Sequence, residues 1–175
     1  AKLGLRSEGA PSSKAYFFET RDLALRAVGM TASSSVKASG KENVKVKRNY
    51  ADAASVDVTE TARWQAACEY DTHLGFEKVG CKSGDSGWAV ANLNGRRLER
   101  FGPAEKRSWA LEGGYTLDEV TGPSGAAGVE ISRRVPAAAR ARELRALSDF
   151  LRAKGVPACS DQEGRYQRVL DELMR

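Results

Sequence analysis

The strongest constraint on this chain is a period of two, met repeatedly in short runs. In Val44-Lys45-Val46-Lys47 the valines fall on one side of an extended backbone and the lysines on the other. Cys68-Glu69-Tyr70-Asp71 alternates in the same way, with Glu69 and Asp71 on one face and Cys68 and Tyr70 on the other. Val129-Glu130-Ile131-Ser132 is strand-like too and sets a carboxylate to one side. Runs this short, separated by Gly-containing turns such as Ser39-Gly40-Lys41-Glu42 and Gly122-Pro123-Ser124-Gly125, predict antiparallel strands joined by hairpins.

Helical periodicity is concentrated at the end of the chain. Leu144, Leu147, Phe150 and Leu151 mark a helix within Pro136 to Lys154, stopped by Gly155 and Pro157. Ser160 and Glu163 form a capping box for a second helix carrying Tyr166, Val169, Leu170 and Leu173. Two shorter helices are expected, over Arg21 to Val28, closed by Gly29, and over Pro103 to Leu111, with Pro103 in its first turn. The fold class is therefore α+β: an antiparallel β part over 1–132, then a helical hairpin over 136–175, in one domain of 175 residues.

Charge and cysteine usage narrow the chemistry. The net charge is +5, but it is distributed in blocks. Lys37, Lys41, Lys45, Lys47 and Arg48 crowd one stretch, and Asp52, Asp57, Glu60, Glu69 and Asp71 the next. A polyanion would use the first block and a divalent cation the second. Cys68, Cys81 and Cys159 show no CxxC spacing and His73 is the single histidine, so a zinc site is not expected. The cysteines are expected as thiols in a reducing, cytoplasmic setting. No apolar run reaches the roughly 20 residues needed to span a bilayer, and the first five residues have no signal-peptide character.

These features leave alternatives open at each position. Glu69 and Asp71 fit a metal pair or a solvated strand face. Lys45 and Lys47 fit a phosphate-binding strand or an edge strand guarded by lysines. Arg107 fits a ligand or a helix surface. The arginines of the C-terminal helices fit a solvated face or a nucleic-acid contact.

The order of several blocks carries a resemblance. "YFFETRDLALRAVGM", "VKVKR", "ACEYD", "AEKRSWAL", "TLDEVTGP" and "VEISRRVPAAARARELRALSDFLRAKGV" resemble, in sequence, the blocks of CYTH-domain proteins, the triphosphate tunnel metalloenzymes. That resemblance implies an eight-stranded antiparallel barrel, open as a tunnel, whose inner basic residues bind a triphosphate. It implies Mg²⁺ or Mn²⁺ as cofactor and hydrolysis of an inorganic, nucleotide or thiamine triphosphate. Carried over residue by residue, it implies Lys2, Lys45, Lys47 and Arg107 as phosphate contacts. Glu69, Asp71 and Glu130 become metal ligands, with Glu69, Lys47 and Arg107 serving catalysis. Phosphoryl transfer suits such a set, because it depends chiefly on positioned cations and an aligned nucleophile.

The chain also departs from that pattern. Ala32-Ser33-Ser34-Ser35 stands where relatives carry alternating arginines, and Asn49 where another Arg is expected. "GCKSGDSG" replaces a strand ending in Lys, with Lys82 as a partial substitute. Between Gly122 and Gly128 a hairpin's worth of tunnel wall is expected to be missing. The alternatives are thus a protein that binds phosphorylated ligands without turnover, or a basic nucleic-acid-binding protein.

Overall fold

A computed structural model describes residues 12–73, 76–83, 97–125, 127–157 and 165–175. Its strands are β1 (Ser12–Glu19), β2 (Met30–Lys37), β3 (Glu42–Tyr50), β4 (Ala67–His73), β5 (Phe76–Ser83), β6 (Glu99–Ala110), β7 (Thr116–Thr121) and β8 (Ala127–Ser132). Its helices are α1 (Ala24–Ala27), α2 (Val58–Arg63), α3 (Arg140–Ala153) and α4 (Arg165–Leu173). The eight strands form one sheet, ordered β4-β5-β3-β2-β1-β6-β7-β8, and each neighbouring pair is antiparallel. The sheet curls into a half-barrel.

The predicted hairpin around Gly40 is β2–β3, with Ser33 opposite Lys45 and Val36 opposite Glu42. Gly40 has a φ of +80°, a conformation that favours glycine. The wall expected to be missing near Gly122 is present: β7 and β8 pair from Thr116↔Ser132 to Thr121↔Ala127. Glu172 anchors the loop between them, its carboxylate accepting from the Ser124 backbone N–H.

One expected helix is a strand. Residues 103–111 belong largely to β6, where Ala104, Lys106 and Ser108 alternate with Glu105, Arg107 and Trp109. Pro103 lies where the β1–β6 register shifts, between Ala15↔Ala104 and Phe17↔Phe101. A bulge tolerates the missing N–H of proline, so Pro103 marks an irregularity in a strand and not a first helical turn.

Register assigns every strand residue to one of two faces. One face is packed by α1, α2 and their neighbours: Leu25, Met30, Ala32, Val46 and Trp64 form a buried cluster, flanked by Tyr50, Val79 and Cys81. Asp57 caps α2, its Oδ1 accepting from the Glu60 N–H at 2.8 Å. Glu60 in turn holds β3, accepting from Arg48 and, at 3.0 Å, from the Tyr50 hydroxyl. Burial, then that hydrogen bond and the Glu60 charge, push the Tyr50 pKa up to about 12. On β1, the buried Glu19 carboxylate receives the N–H groups of Thr20, Leu25 and Arg26 at 2.8–3.0 Å, fixing the turn into α1.

The other face is concave, and α4 lies against one half of it. Val169 joins Ala15, Phe17, Ala104 and Val120 in a buried cluster edged by Tyr166, Leu170 and Leu173. The Phe17 and Tyr166 rings meet at 5.3 Å. The two C-terminal helices take different sides of the sheet. At its start α3 reaches β4 and β5, where Arg140 pairs with Glu77 at 2.7 Å and lies over the Tyr70 ring. At its end Phe150 packs on Tyr115 and Lys154 pairs with Glu112, so α3 straps the outside of the half-barrel. The capping residues Ser160 and Glu163 lie outside the described residues.

The cysteines depart from expectation. Cys68 on β4 and Cys81 on β5 sit directly opposite one another and are joined in a disulfide. They are not free thiols, and a bond of this kind persists where the medium is oxidising. Cys159 lies outside the described residues. Among the described residues no helix is long and apolar enough to cross a membrane.

Candidate functional site

The part of the concave face that α4 leaves uncovered is built from β3, β4 and β5, with the Glu130 end of β8 facing them. Parity along β3 sends Lys45, Lys47 and Asn49 inward while Val46 and Tyr50 go to the core. Register then places Lys82 beside Lys47 and Gly80 beside Asn49 on β5. On β4, Glu69 lies opposite Gly80 and Asp71 opposite Lys78. Because the sheet curls, β8 closes from the far edge: Arg134, just beyond it, comes to 3.9 Å from Glu69.

Charges on this face are paired. Lys47 bonds the Asp71 carboxylate and Lys82 bonds Glu69, each side chain partly shielded from water. Gly80 makes the first pair possible. A Cβ on residue 80 would lie 2.8 Å from Lys47 Nζ and 2.9 Å from Asp71 Oδ2, so the pair lies across bare backbone. Lys78 and His73 complete the group. Burial, then the neighbouring Lys47 ammonium, holds Lys78 below the usual lysine value, with Asp71 and Glu130 acting the other way. Burial, then Lys78, holds His73 below 6.5 and so favours neutral imidazole. These influences place Lys47, Asp71, His73, Lys78 and Glu130 within electrostatic range of one another.

Of the residues singled out from sequence, Lys47, Glu69, Asp71 and Glu130 share the concave face, Glu130 lying opposite Asp118 on β7. Lys45 shares that face, opposite Ser33, at an exposed position. Arg107 does not join them. It lies opposite Ser12 and Glu119 on the other face and pairs with Glu105 at 2.8 Å, while its neighbour Lys106 faces inward. The resemblance nominated Arg107, and the segment read as a helix is a strand whose parity turns Lys106, not Arg107, inward. Lys2 lies outside the described residues. Sequence reasoning missed Lys78 and Gly80, although the spacing Lys78-x-Gly80-x-Lys82 carries the period of two that exposes them.

The serines replacing the expected arginines have a structural counterpart. Ser33 and Ser35 face Phe17 and Ala15 across β1–β2, on the half of the trough where α4 packs. Ser33 and Thr31 line a small gap together with Tyr166, Gln167 and Leu170 of α4. Two arginines there would be driven against an apolar helix face, at a large desolvation cost. Ser34 points to the opposite face and donates to Glu42.

A metal centre does not fit the described residues. Among the described residues no three His, Cys, Asp or Glu side chains converge on a point, and Glu69 and Asp71 each face a lysine. Hard divalent cations need several oxygen ligands at once.

No protein-family model matches the sequence, and neither does any curated protein. Solved structures match the fold. HpAC1 of Hippeastrum, an adenylyl cyclase candidate described as having a dominant triphosphatase activity, gives a TM-score of 0.56 at 15% identity. The match covers 93% of this chain and 83% of HpAC1. An adenylate cyclase candidate of Bacillus halodurans gives 0.51 at 11% identity, covering 93% and 84%. The protein PH1819 of Pyrococcus horikoshii gives 0.50 at 15% identity, covering 92% and 84%. At such identities the likeness establishes the architecture.

Proposed function

We propose that this CYTH-type half-barrel holds a polyphosphate-class anion, triphosphate among its forms, on the lysines of its uncovered concave face. The observation that carries this reading is the register of β3, β4 and β5, which sets Lys47 beside Lys82 and brings Lys78 onto the same face. The Lys47 ammonium adds to burial in holding Lys78 below its ordinary value. A partly buried lysine in that position gains most when an anion with several oxygens arrives beside it. Lys82 stands in register with Lys47 and widens the cationic strip along β3 and β5. The fold shared with HpAC1, for which a triphosphatase activity is described, supports the same ligand class.

Triphosphate chemistry is common to the inorganic, nucleotide and thiamine forms, and the strip addresses the phosphates and not the group attached to them. Glu69, Asp71 and Glu130 are the side chains that the family resemblance nominates for Mg²⁺ or Mn²⁺. They do not converge, so these three side chains form no metal-bound hydrolytic centre. Binding is the function the geometry supports. Nucleic acid is a poorer fit: the strip lies inside a curled sheet, whereas the exposed Arg142 and Arg152 of α3 are ion-paired with Glu143 and Asp149.

Thermal melting with tripolyphosphate tests the reading. At about 100 times the dissociation constant, a ligand that binds only the folded chain adds about 2.7 kcal/mol. For a chain of this size that raises Tm by roughly 5–10 °C. Sulfate at equal ionic strength is expected to give a much smaller rise. Equal shifts for both anions would reduce the effect to general screening and end the reading.

A further inference from the structure

We infer that lysine ammonium groups stand on the concave face in place of a divalent cation, so that phosphate binding here is independent of metal. This rests on the reading of that face as an anion site. Two carboxylates that could ligate a cation, Asp71 and Glu69, are each occupied by an ammonium, from Lys47 and Lys82. Arg134 adds a second cation at 3.9 Å from Glu69. Gly80 leaves the space across which Lys47 and Asp71 meet, so the pairing is built into the backbone.

An ammonium carries three N–H donors and no acceptor. With one donor on its carboxylate, it keeps two for phosphate oxygens. Lys47 and Lys82 can therefore join a carboxylate on one side to a phosphate on the other, the role a shared metal ion would fill. The carboxylates need not be released when the anion arrives. They orient the lysines. A divalent cation, by contrast, would have to displace two ammonium groups and settle beside a third, Lys78, whose own protonation is already disfavoured by Lys47. Like charges at that range repel strongly in a partly buried setting.

The inference assigns Asp71 a sign opposite to that of a metal ligand. Its negative charge opposes the bound anion, so Asp71→Asn is expected to tighten tripolyphosphate binding, by about threefold. A metal ligand would behave in the reverse way, and its loss would weaken binding. The experiment is a titration of the full chain with tripolyphosphate, once in EDTA and once with Mn²⁺, on wild type and Asp71→Asn. Paramagnetic resonance of free Mn²⁺ is followed on wild type alone, which covers a failure of the variant to fold. Expected are binding undiminished in EDTA, tighter binding by Asp71→Asn, and a free Mn²⁺ signal unchanged by stoichiometric protein. Binding seen only with Mn²⁺, weaker binding by Asp71→Asn, or capture of one Mn²⁺ per chain would overturn the inference while leaving the anion site standing. No tripolyphosphate binding in either medium would instead overturn the anion site itself.

Discussion

Trp64→Ala is expected to lower the free energy of unfolding by about 3–5 kcal/mol, the range for removing a large aromatic side chain from a core. Trp64 ends α2 and is 0% exposed, packed with Leu25 of α1, Met30 and Ala32 of β2, and Val46 of β3. Three elements thus lose a common neighbour at once. Its backbone carbonyl also accepts from Ser83 Oγ at 2.7 Å, tying α2 to β5, so the surroundings are held in place and cannot collapse freely into the cavity. At roughly 2–4 °C per kcal/mol, Tm should fall by about 6–20 °C. Chemical denaturation gives the number directly. A loss under about 1 kcal/mol would mean that Trp64 is not in the core.

Reducing the Cys68–Cys81 disulfide is expected to cost about 3 kcal/mol, as loop closure over a separation of 13 residues predicts. The bond joins β4, the last strand at its edge of the sheet, to β5. Strand β4 carries Glu69, Asp71 and His73, so loosening it also withdraws the carboxylates that hold Lys47 and Lys82. Melts of the oxidised and the fully reduced protein measure the effect. Titration of thiols before reduction checks the premise, since neither Cys68 nor Cys81 should react. Two melts that coincide, or reactive thiols at both positions, would contradict it.

Much of the half-barrel was legible in the sequence, because alternation survives wherever core valines face lysines or acids. Val44 to Lys47 and Cys68 to Asp71 each showed a strand and its two faces, while the sharing of one face by Lys47, Glu69 and Asp71 came from the family resemblance. Strand β6 was hidden. Its inward residues, Ala104, Lys106 and Ser108, are no more apolar than its outward ones, and Pro103 next to a charged run imitates a helix start. Arg107 was nominated by the family resemblance, and reading the strand as a helix hid the parity that turns Lys106 inward instead. Helix α2 was missed: it is capped by Asp57, but six residues are too few to show a helical period. The disulfide could not be read, as three cysteines allow three pairings and only register decides among them. The covering of the trough by α4 depends on tertiary packing, so Ser33 and Ser35 read as lost charges without their structural reason.

Calorimetric titration of tripolyphosphate against Lys47→Met and Arg107→Met tests the location of the site most directly. Lys47 lies on the uncovered concave face, and Arg107 lies on the opposite face, paired with Glu105. Lys47→Met is expected to weaken binding by about tenfold or more, the loss of a charge-assisted hydrogen bond, and Arg107→Met to leave it within about twofold. The reverse order, or equal losses from both, would place the anion somewhere other than the lysine strip.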